Sequence, residues 1–369
     1  EEHTSELQSR MFISYAVFGL KKKRAGLVHC QPARQSPRPK RPGRATAATT
    51  ARSREGAPKP LASPIRPFRH AAAVLAAVLL ALPFATGAAQ AQGDAGSTPS
   101  KPAPTKPAVD NGASVVMYHR FGDGRYPSTN IKLEQFEQHI AELTQPKYNV
   151  LPLPDVVAAL RQERPLPPYT VAITIDDAYR SVWEEAVPRL REAGLPFTLF
   201  VATDPVGGRE YMTWDQLREM AQMDLATIGS QTATHPHLPL LSPEHIREEL
   251  ERSQDRFKAE LGRAPDLIAY PYGEYATTVQ KIARETGFVA GFGQQSGAIA
   301  RTSERYGLPR FALNEAYGGM DRFRTAVNAL PLPVHDVVPD DNLLGPDDNP
   351  PMYGFTVDDS VSSLAGLTC

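Results

Sequence analysis

Four short stretches in the middle of the chain place chemically capable side chains directly after runs of β-branched and aliphatic residues. Val115-Val116-Met117-Tyr118 ends in His119, and Val171-Ala172-Ile173-Thr174-Ile175 ends in the carboxylate pair Asp176-Asp177. Leu225 to Ile228 leads through Gly229-Ser230 into Gln231-Thr232-Ala233-Thr234-His235-Pro236-His237, and Leu267 to Tyr270 ends in Pro271-Tyr272-Gly273. Each has an ordinary reading: an Asp pair after a strand is often a helix cap, histidines in a proline-flanked loop are often solvated, and Tyr-Gly is a common turn pair. Their joint appearance is more informative, because a metal needs several ligands and a hydrolase needs a base beside them. The two cysteines, Cys30 and Cys369, stand near opposite ends of the chain. That excludes a disulfide scaffold and a four-cysteine zinc site, so a metal here must use His and carboxylate.

The elements that position these groups follow from periodicity. Strands are expected at Val115 to Tyr118, Tyr169 to Ile175, Phe197 to Ala202, Leu225 to Ile228, Leu267 to Tyr270 and Phe288 to Phe292. Between them lie helices with apolar residues every three or four positions: Leu133, Phe136, Ile140 and Leu143 in one, Ile246, Leu250, Phe257 and Leu261 in another. This alternation of strand and helix predicts a parallel sheet covered by helices, either a barrel or an open doubly wound sheet. In both, chemistry gathers at the carboxyl ends of the strands, where the four stretches fall. No glycine fingerprint follows any strand, which argues against a dinucleotide fold. Trp183, Trp214 and Phe257 are expected in the core.

The flanks differ from this body. Residues 1–60 include a long Arg/Pro/Ala/Ser stretch with little to bury and are read as a misplaced start. Residues 61–91 have a basic cluster, an apolar run from Ala71 to Ala85 and small residues at Ala89 and Ala91, a signal-peptide pattern that predicts export to the periplasm or medium after cleavage near Ala91. An apolar run of 15 residues broken by Pro83 is short of the roughly 20 that span a bilayer. Residues 92–111 read as a flexible linker and 112–330 as the α/β domain. Residues 331–369 read as a Pro/Asp-rich tail or the opening of a second module, in which Gly354-Phe355-Thr356-Val357 looks like a strand without a partner. From Gln92 onward the chain has 25 Lys and Arg against 37 Asp and Glu. Such an acidic body is poorly suited to gripping nucleic acid. Oligomeric state is left open.

Ile173-Thr174-Ile175-Asp176-Asp177, the Ser230 to Pro236 stretch and Ala269-Tyr270-Pro271-Tyr272-Gly273 together resemble three ordered motifs of the polysaccharide deacetylases, which include nodulation-type chitooligosaccharide deacetylases. The resemblance runs from about Val115 to Leu330, and Met117-Tyr118-His119 is similar to the branch acting on poly-N-acetylglucosamine. It implies a distorted seven-stranded (β/α) barrel and metal-dependent hydrolysis of acetyl groups on a sugar polymer. It also implies that Asp176 is the general base, that Asp177 and His235 bind the metal, zinc first with manganese or magnesium as alternatives, and that the Tyr272 backbone N–H stabilises the oxyanion. His119 is the candidate acid for the leaving amine, ahead of His335.

Three positions depart from the family pattern. Ala178 stands where Gly is usual. Ala269 replaces an Arg that often orients the base, so Arg310 is the expected source of that charge. Gln231 replaces the first histidine of the His-Ser/Thr-x-x-His motif and is expected as a weak metal ligand, since a carboxamide is a feeble donor; either His237 compensates as a ligand, the favoured outcome, or a harder ion such as Mn²⁺ or Mg²⁺ accepts the Gln231 oxygen. Two other functions compete with the deacetylase reading: a sugar-binding pseudoenzyme, favoured by Gln231, and a metal-dependent amidase acting on a small cyclic amide. Tyr126, Tyr179, Tyr211, Tyr272 and Tyr275 are candidates for stacking on sugar rings.

Overall fold

The computed structural model describes Val28–His29, residues 112–345, residues 351–359 and Val361. The signal-peptide and linker readings lie outside the described residues, and of the segment read as a misplaced start only Val28–His29 are described. Six parallel strands form the main run of a nine-stranded sheet: β1 (Ala113–Tyr118), β2 (Thr170–Asp176), β3 (Phe197–Val201), β4 (Ala226–Ser230), β5 (Leu267–Ala269) and β6 (Ala290–Phe292), in the order β6-β5-β4-β3-β2-β1, with Asn149–Val150 pairing in parallel with the start of β2. Ala298–Ile299 adds an antiparallel seventh strand beyond β1. Every residue of β1, β2 and β3 is buried. A parallel sheet covered on both faces demands this, and it explains why these strands read as continuous apolar runs without alternation.

The sheet is curled. Phe200 on β3 and Phe292 on β6 are three strands apart in its order, yet their ring centroids are 5.7 Å apart. A final segment stitches the two edges together: Leu308 bridges to Phe292, and β7 (Phe311–Ala312) pairs in parallel with β1. Arg310 lies on this closing segment. Residues with side chains inside the curl, among them Val115, Ala172, Phe200, Ala269 and Phe292, form one cluster. Their alternates Val116, Ile173 and Leu199 join the cluster against the outer helices. The architecture is therefore the expected distorted barrel.

The helices are α1 (Leu133–Leu143), α2 (Leu153–Arg161), α3 (Val187–Glu192), α4 (Trp214–Met220), α5 (Pro243–Leu261), α6 (Thr277–Glu285) and α7 (Met320–Val327). In α5, Ser242 caps the first turn, Pro243 opens it and Gly262, at φ +76°, ends it. Its Ser253 shares a buried 2.8 Å hydrogen bond with Ser230, tying α5 to the end of β4. On α1, His139 is buried and stacked on Phe323 with centroids 3.8 Å apart. Its Nε2 donates to the Gly318 carbonyl at 2.8 Å, which leaves Nδ1 to accept from the Tyr118 hydroxyl at 3.0 Å. Burial lowers the His139 pKa to about 4 against the opposing pull of the Gly318 bond. The residue preceding His119 is anchored in this way.

Observed strand limits differ slightly from those expected. Gly229 and Ser230 extend β4, whereas Phe288 precedes β6 because its N–H closes the end of α6 on Ala283. Phe257 is fully buried, while Trp183 and Trp214 pack against the core half-buried. Gly354–Val357 is a strand, but not a solitary one: as β9 it pairs antiparallel with β8 (Val334–Val338), with Val28–His29 on its other side. Asp341 in this tail accepts from the Thr277 N–H at 3.3 Å and the Thr277 hydroxyl at 2.5 Å. It caps α6, whose own cap residue, Ala276, has no side chain able to do so.

Candidate active site

The carboxyl ends of β1, β2, β4 and β5 bring the four chemically capable stretches to one mouth. Asp176 is the last residue of β2 and is fully buried. Arg310 grips it with two parallel bonds, Nη1 to Oδ1 at 2.7 Å and Nη2 to Oδ2 at 2.8 Å. The guanidinium, also fully buried, donates as well from Nε to the Gly293 carbonyl (2.9 Å) and from Nη1 to Thr174 Oγ1 (3.2 Å). Thr174 in turn donates to the Val116 carbonyl at 2.8 Å. Arg310 thus stands where Ala269 offers no charge, and the planar fork holds the carboxylate in one orientation.

Asp177 has very different surroundings. Its backbone is left-handed, at φ +74°. Its N–H is shared between the Phe200 carbonyl at 3.0 Å and Gln231 Oε1 at 3.1 Å. Asp177 Oδ1 lies 3.5 Å from His235 Nε2 and is buried with no hydrogen-bond partner. Burial works against its charge, but His235, His119, the Tyr179 hydroxyl and Arg120 outweigh it and hold the carboxyl below its ordinary pKa. His119, half-buried directly after β1, is therefore within electrostatic reach of the pair.

Left-handed backbone marks the same place. Of the eight described non-glycine residues with positive φ, Asp177, Ala178, Thr232, His235 and Tyr272 belong to this mouth. Such conformations cost of order 1 kcal/mol or more each and persist where surrounding structure over-determines them. Ala178 confirms that the turn absorbs a residue other than glycine. At Gly273, φ +74°, a Cβ would lie 2.5 Å from Gln294 Cβ, so there glycine is required. The His235 loop is held by Glu249 of α5, which accepts from the Ala233 N–H (3.2 Å), the Thr234 N–H (2.8 Å) and the Thr234 hydroxyl (2.9 Å).

Two expected contributors lie elsewhere. His237 does not join Asp177 and His235: its Nδ1 is 2.7 Å from Glu274 Oε2, and its ring stacks on Tyr272 at 4.1 Å and 13°. His335 is exposed on β8, 3.4 Å from Asp336. Among the described residues no group of three or more His, Cys, Asp or Glu could hold a metal ion. The two that meet nevertheless suit one. Two donors about 2.0–2.2 Å from a tetrahedral ion stand roughly 3.3–3.6 Å apart, and Asp177 Oδ1 and His235 Nε2 are 3.5 Å apart, the oxygen lacking any other partner. Gln231 does not fit as a third ligand. Its oxygen is engaged by the Asp177 N–H, which fixes the orientation of the amide, and its buried Nε2 has hydrogens but no acceptor.

Beside the mouth, the Arg120 guanidinium lies between the Tyr179 ring at 3.5 Å and the Tyr126 ring at 4.0 Å and pairs with Glu210 at 3.2 Å. Tyr179 also meets Tyr211, with centroids 5.1 Å apart. Arg120, Tyr179, Ser181, Glu184 and Glu210 line a cavity of about 360 Å³. Tyr275 instead packs on buried Tyr270 at 5.2 Å, a core role. Reading the sequence missed Glu249, Glu274, Thr174 and Arg120. Only Glu274, directly after Pro-Tyr-Gly, and Arg120, directly after His119, carried a positional signal.

Comparison with known proteins agrees with this geometry. The polysaccharide deacetylase family profile matches residues 163–291. The YxkH protein of Bacillus subtilis is 29% identical over 205 residues, covering 56% of this chain and 72% of its own. The poly-β-1,6-N-acetyl-D-glucosamine N-deacetylase of Staphylococcus aureus is 22% identical over 275 residues, 67% of this chain and 93% of its own. Among solved structures, IcaB from Ammonifex degensii superposes with TM-score 0.53 at 26% identity, covering 59% of this chain and 97% of its own. The Streptococcus pyogenes deacetylase PplD, in complex with acetate, gives TM-score 0.54 at 23% identity over 58% of this chain and 98% of its own, a likeness of fold. No described helix is long and apolar enough to cross a membrane. With three ordered motifs at one mouth and a curled parallel sheet, the chain has the fold of the polysaccharide deacetylases, and its residues 163–291 match that family's profile.

Proposed function

We propose that this protein removes N-acetyl groups from an N-acetylglucosamine-containing polysaccharide by hydrolysis. The observation that carries the reading is the buried Arg310–Asp176 pair directly beside the Asp177–His235 pair. One carboxylate is fixed for proton transfer and its neighbour faces an imidazole with a lone pair unused. Asp177 and His235 would hold a divalent ion, which when bound polarises the acetyl carbonyl and acidifies the attacking water. Asp176 takes the water proton as the oxygen adds to the carbonyl carbon. The Tyr272 N–H donates to the oxygen as negative charge develops there. When the C–N bond breaks, the amine nitrogen takes a proton from His119 and acetate leaves.

The similarity to a poly-β-1,6-N-acetyl-D-glucosamine N-deacetylase supports a β-1,6-linked polymer as first substrate. Incubating the full chain with that polymer, chito-oligosaccharides, peptidoglycan and acetylated xylan in the presence of Co²⁺, and measuring released acetate, tests it. Acetate from the N-acetylglucosamine polymers is expected. Release from xylan alone would move the reading to O-acetyl esters. One observation favours a second function: the Gln231 amide, engaged on one side and unsatisfied on the other, suits a sugar-binding pseudoenzyme. Binding of the polymer without acetate release under any added ion would select it. The Ala71 to Ala91 pattern further supports export, and a secreted product beginning at Gln92 is expected by mass spectrometry.

A further inference from the structure

His237 and Glu274 stand beside the mouth and take no part in the steps above. Glu274 Oε2 holds His237 Nδ1 at 2.7 Å, the His237 ring lies parallel to Tyr272 at 4.1 Å, and Tyr272 meets the His235 ring edge-on at 4.6 Å. We infer that Glu274 and His237 are positioning residues that, through the Tyr272 ring, fix the imidazole of His235 and so set the affinity of the Asp177–His235 ion seat. This rests on reading Asp177 and His235 as the ligands.

The need for such a device follows from what His235 lacks. A ligating imidazole is usually oriented by a hydrogen bond from its second nitrogen to a carboxylate or carbonyl. No hydrogen bond among the described residues reaches the His235 ring, whose polar neighbour is Asp177 at 3.5 Å. Its backbone is left-handed at φ +63°, so the ring is set by what it packs against. That surface is Tyr272, itself at φ +60°. His237 belongs to the loop after β4, whereas Tyr272 and Glu274 belong to the loop after β5. The stack therefore staples the two loops whose spacing decides where His235 points.

The test is calorimetric titration of the full chain with Co²⁺. Glu274→Ala and His237→Ala are each expected to weaken binding by about tenfold, the low end of the usual effect of losing an outer partner. The double variant should lose no more than either single, because the two act in series. Glu274→Gln, whose amide oxygen still accepts from Nδ1–H, should bind like the parent. With saturating Co²⁺, kcat of both alanine variants should return close to the parental value, which damage to the fold would not allow. Tighter binding in Glu274→Ala would overturn the inference, since it would show a freed His237 acting as a ligand. So would unchanged affinity in both alanine variants while Asp177→Asn loses binding. Unchanged affinity in Asp177→Asn would remove the ion-seat reading itself.

Discussion

Asp176 and Asp177 are neighbours in sequence and opposites in setting. Around Asp176 every oxygen is paired and every nitrogen of the guanidinium partner makes a hydrogen bond, with both side chains fully buried. Around Asp177 an oxygen and an amide nitrogen lack partners, and the backbone is strained. The first half is built like core and the second is left unsatisfied. A buried polar atom without a partner costs roughly 1–3 kcal/mol, so a fold that completes one side and leaves the other open has kept interaction capacity for something that binds.

The largest effect should come from the completed half. Asp176→Asn is expected to abolish acetate release and, by leaving Arg310 buried beside a neutral group, to lower stability by about 3–5 kcal/mol. Chemical denaturation measures the second. Asp177→Asn should lose ion binding with a much smaller change in stability, because that carboxylate has an oxygen already lacking a hydrogen-bond partner. Equal destabilisation by the two variants would erase the contrast between the halves.

A smaller loss separates chemistry from coordination. His119→Ala should lower kcat by about 10²- to 10⁴-fold, the usual worth of a general acid, with ion content unchanged. Loss of the ion instead would place His119 among the ligands and move the acid elsewhere.

The scaffold has its own pH dependence. His139 titrates near pH 4 in the folded chain against 6.5 for an ordinary histidine. Its folded pKa is depressed, so the stability of the neutral buried form is complete above pH 6.5 and is lost as pH falls toward 4. The drop should approach about 3 kcal/mol, and His139→Phe should flatten this part of the stability profile. An unaltered profile would assign acid sensitivity to the mouth rather than to α1.

Parallel strands were legible because each is buried on both faces and reads as an unbroken apolar run, as Val171 to Ile175 does. Helices α1 and α5 were legible from their period. Arg310 was reachable by asking what replaces the charge that Ala269 lacks, although nothing local to Leu308-Pro309-Arg310 marks a closing strand; the pairing of its flanks with β6 and β1 is a property of the curl. The role of His237 was not legible. Its partners Glu274 and Tyr272 lie more than thirty residues away, and a His-x-His spacing looks the same whether both rings face one ion or one of them turns to a carboxylate. The partner of Gly354–Val357 was missed for a similar reason: Val334–Val338 contains exposed positions and Pro333 and Pro339 on either side, which hide a strand in composition.

The smallest expected effect bears on the open half. Gln231 Oε1 accepts the Asp177 N–H, so it contributes to holding the left-handed Asp177 backbone and is turned to that task rather than to any ion seated on Asp177 and His235. A histidine at 231 would exchange a neutral donor pair for an imidazole nitrogen, a stronger ligand for zinc than any carboxamide. Gln231→His should therefore tighten Zn²⁺ binding by about tenfold or more, as recruitment of an additional ligand worth about 1.4 kcal/mol requires, and raise acetate release at limiting ion. With Mn²⁺ or Mg²⁺, which accept oxygen and retain several waters, the gain should be smaller. Because the Phe200 carbonyl still accepts the Asp177 N–H at 3.0 Å, the backbone turn should survive the exchange. Measuring both affinities by calorimetry decides the matter: a gain for zinc that exceeds the gain for the harder ions shows that Gln231 tunes which ion the open half takes, whereas equal or absent gains would show that position 231 serves the Asp177 turn and not the ion.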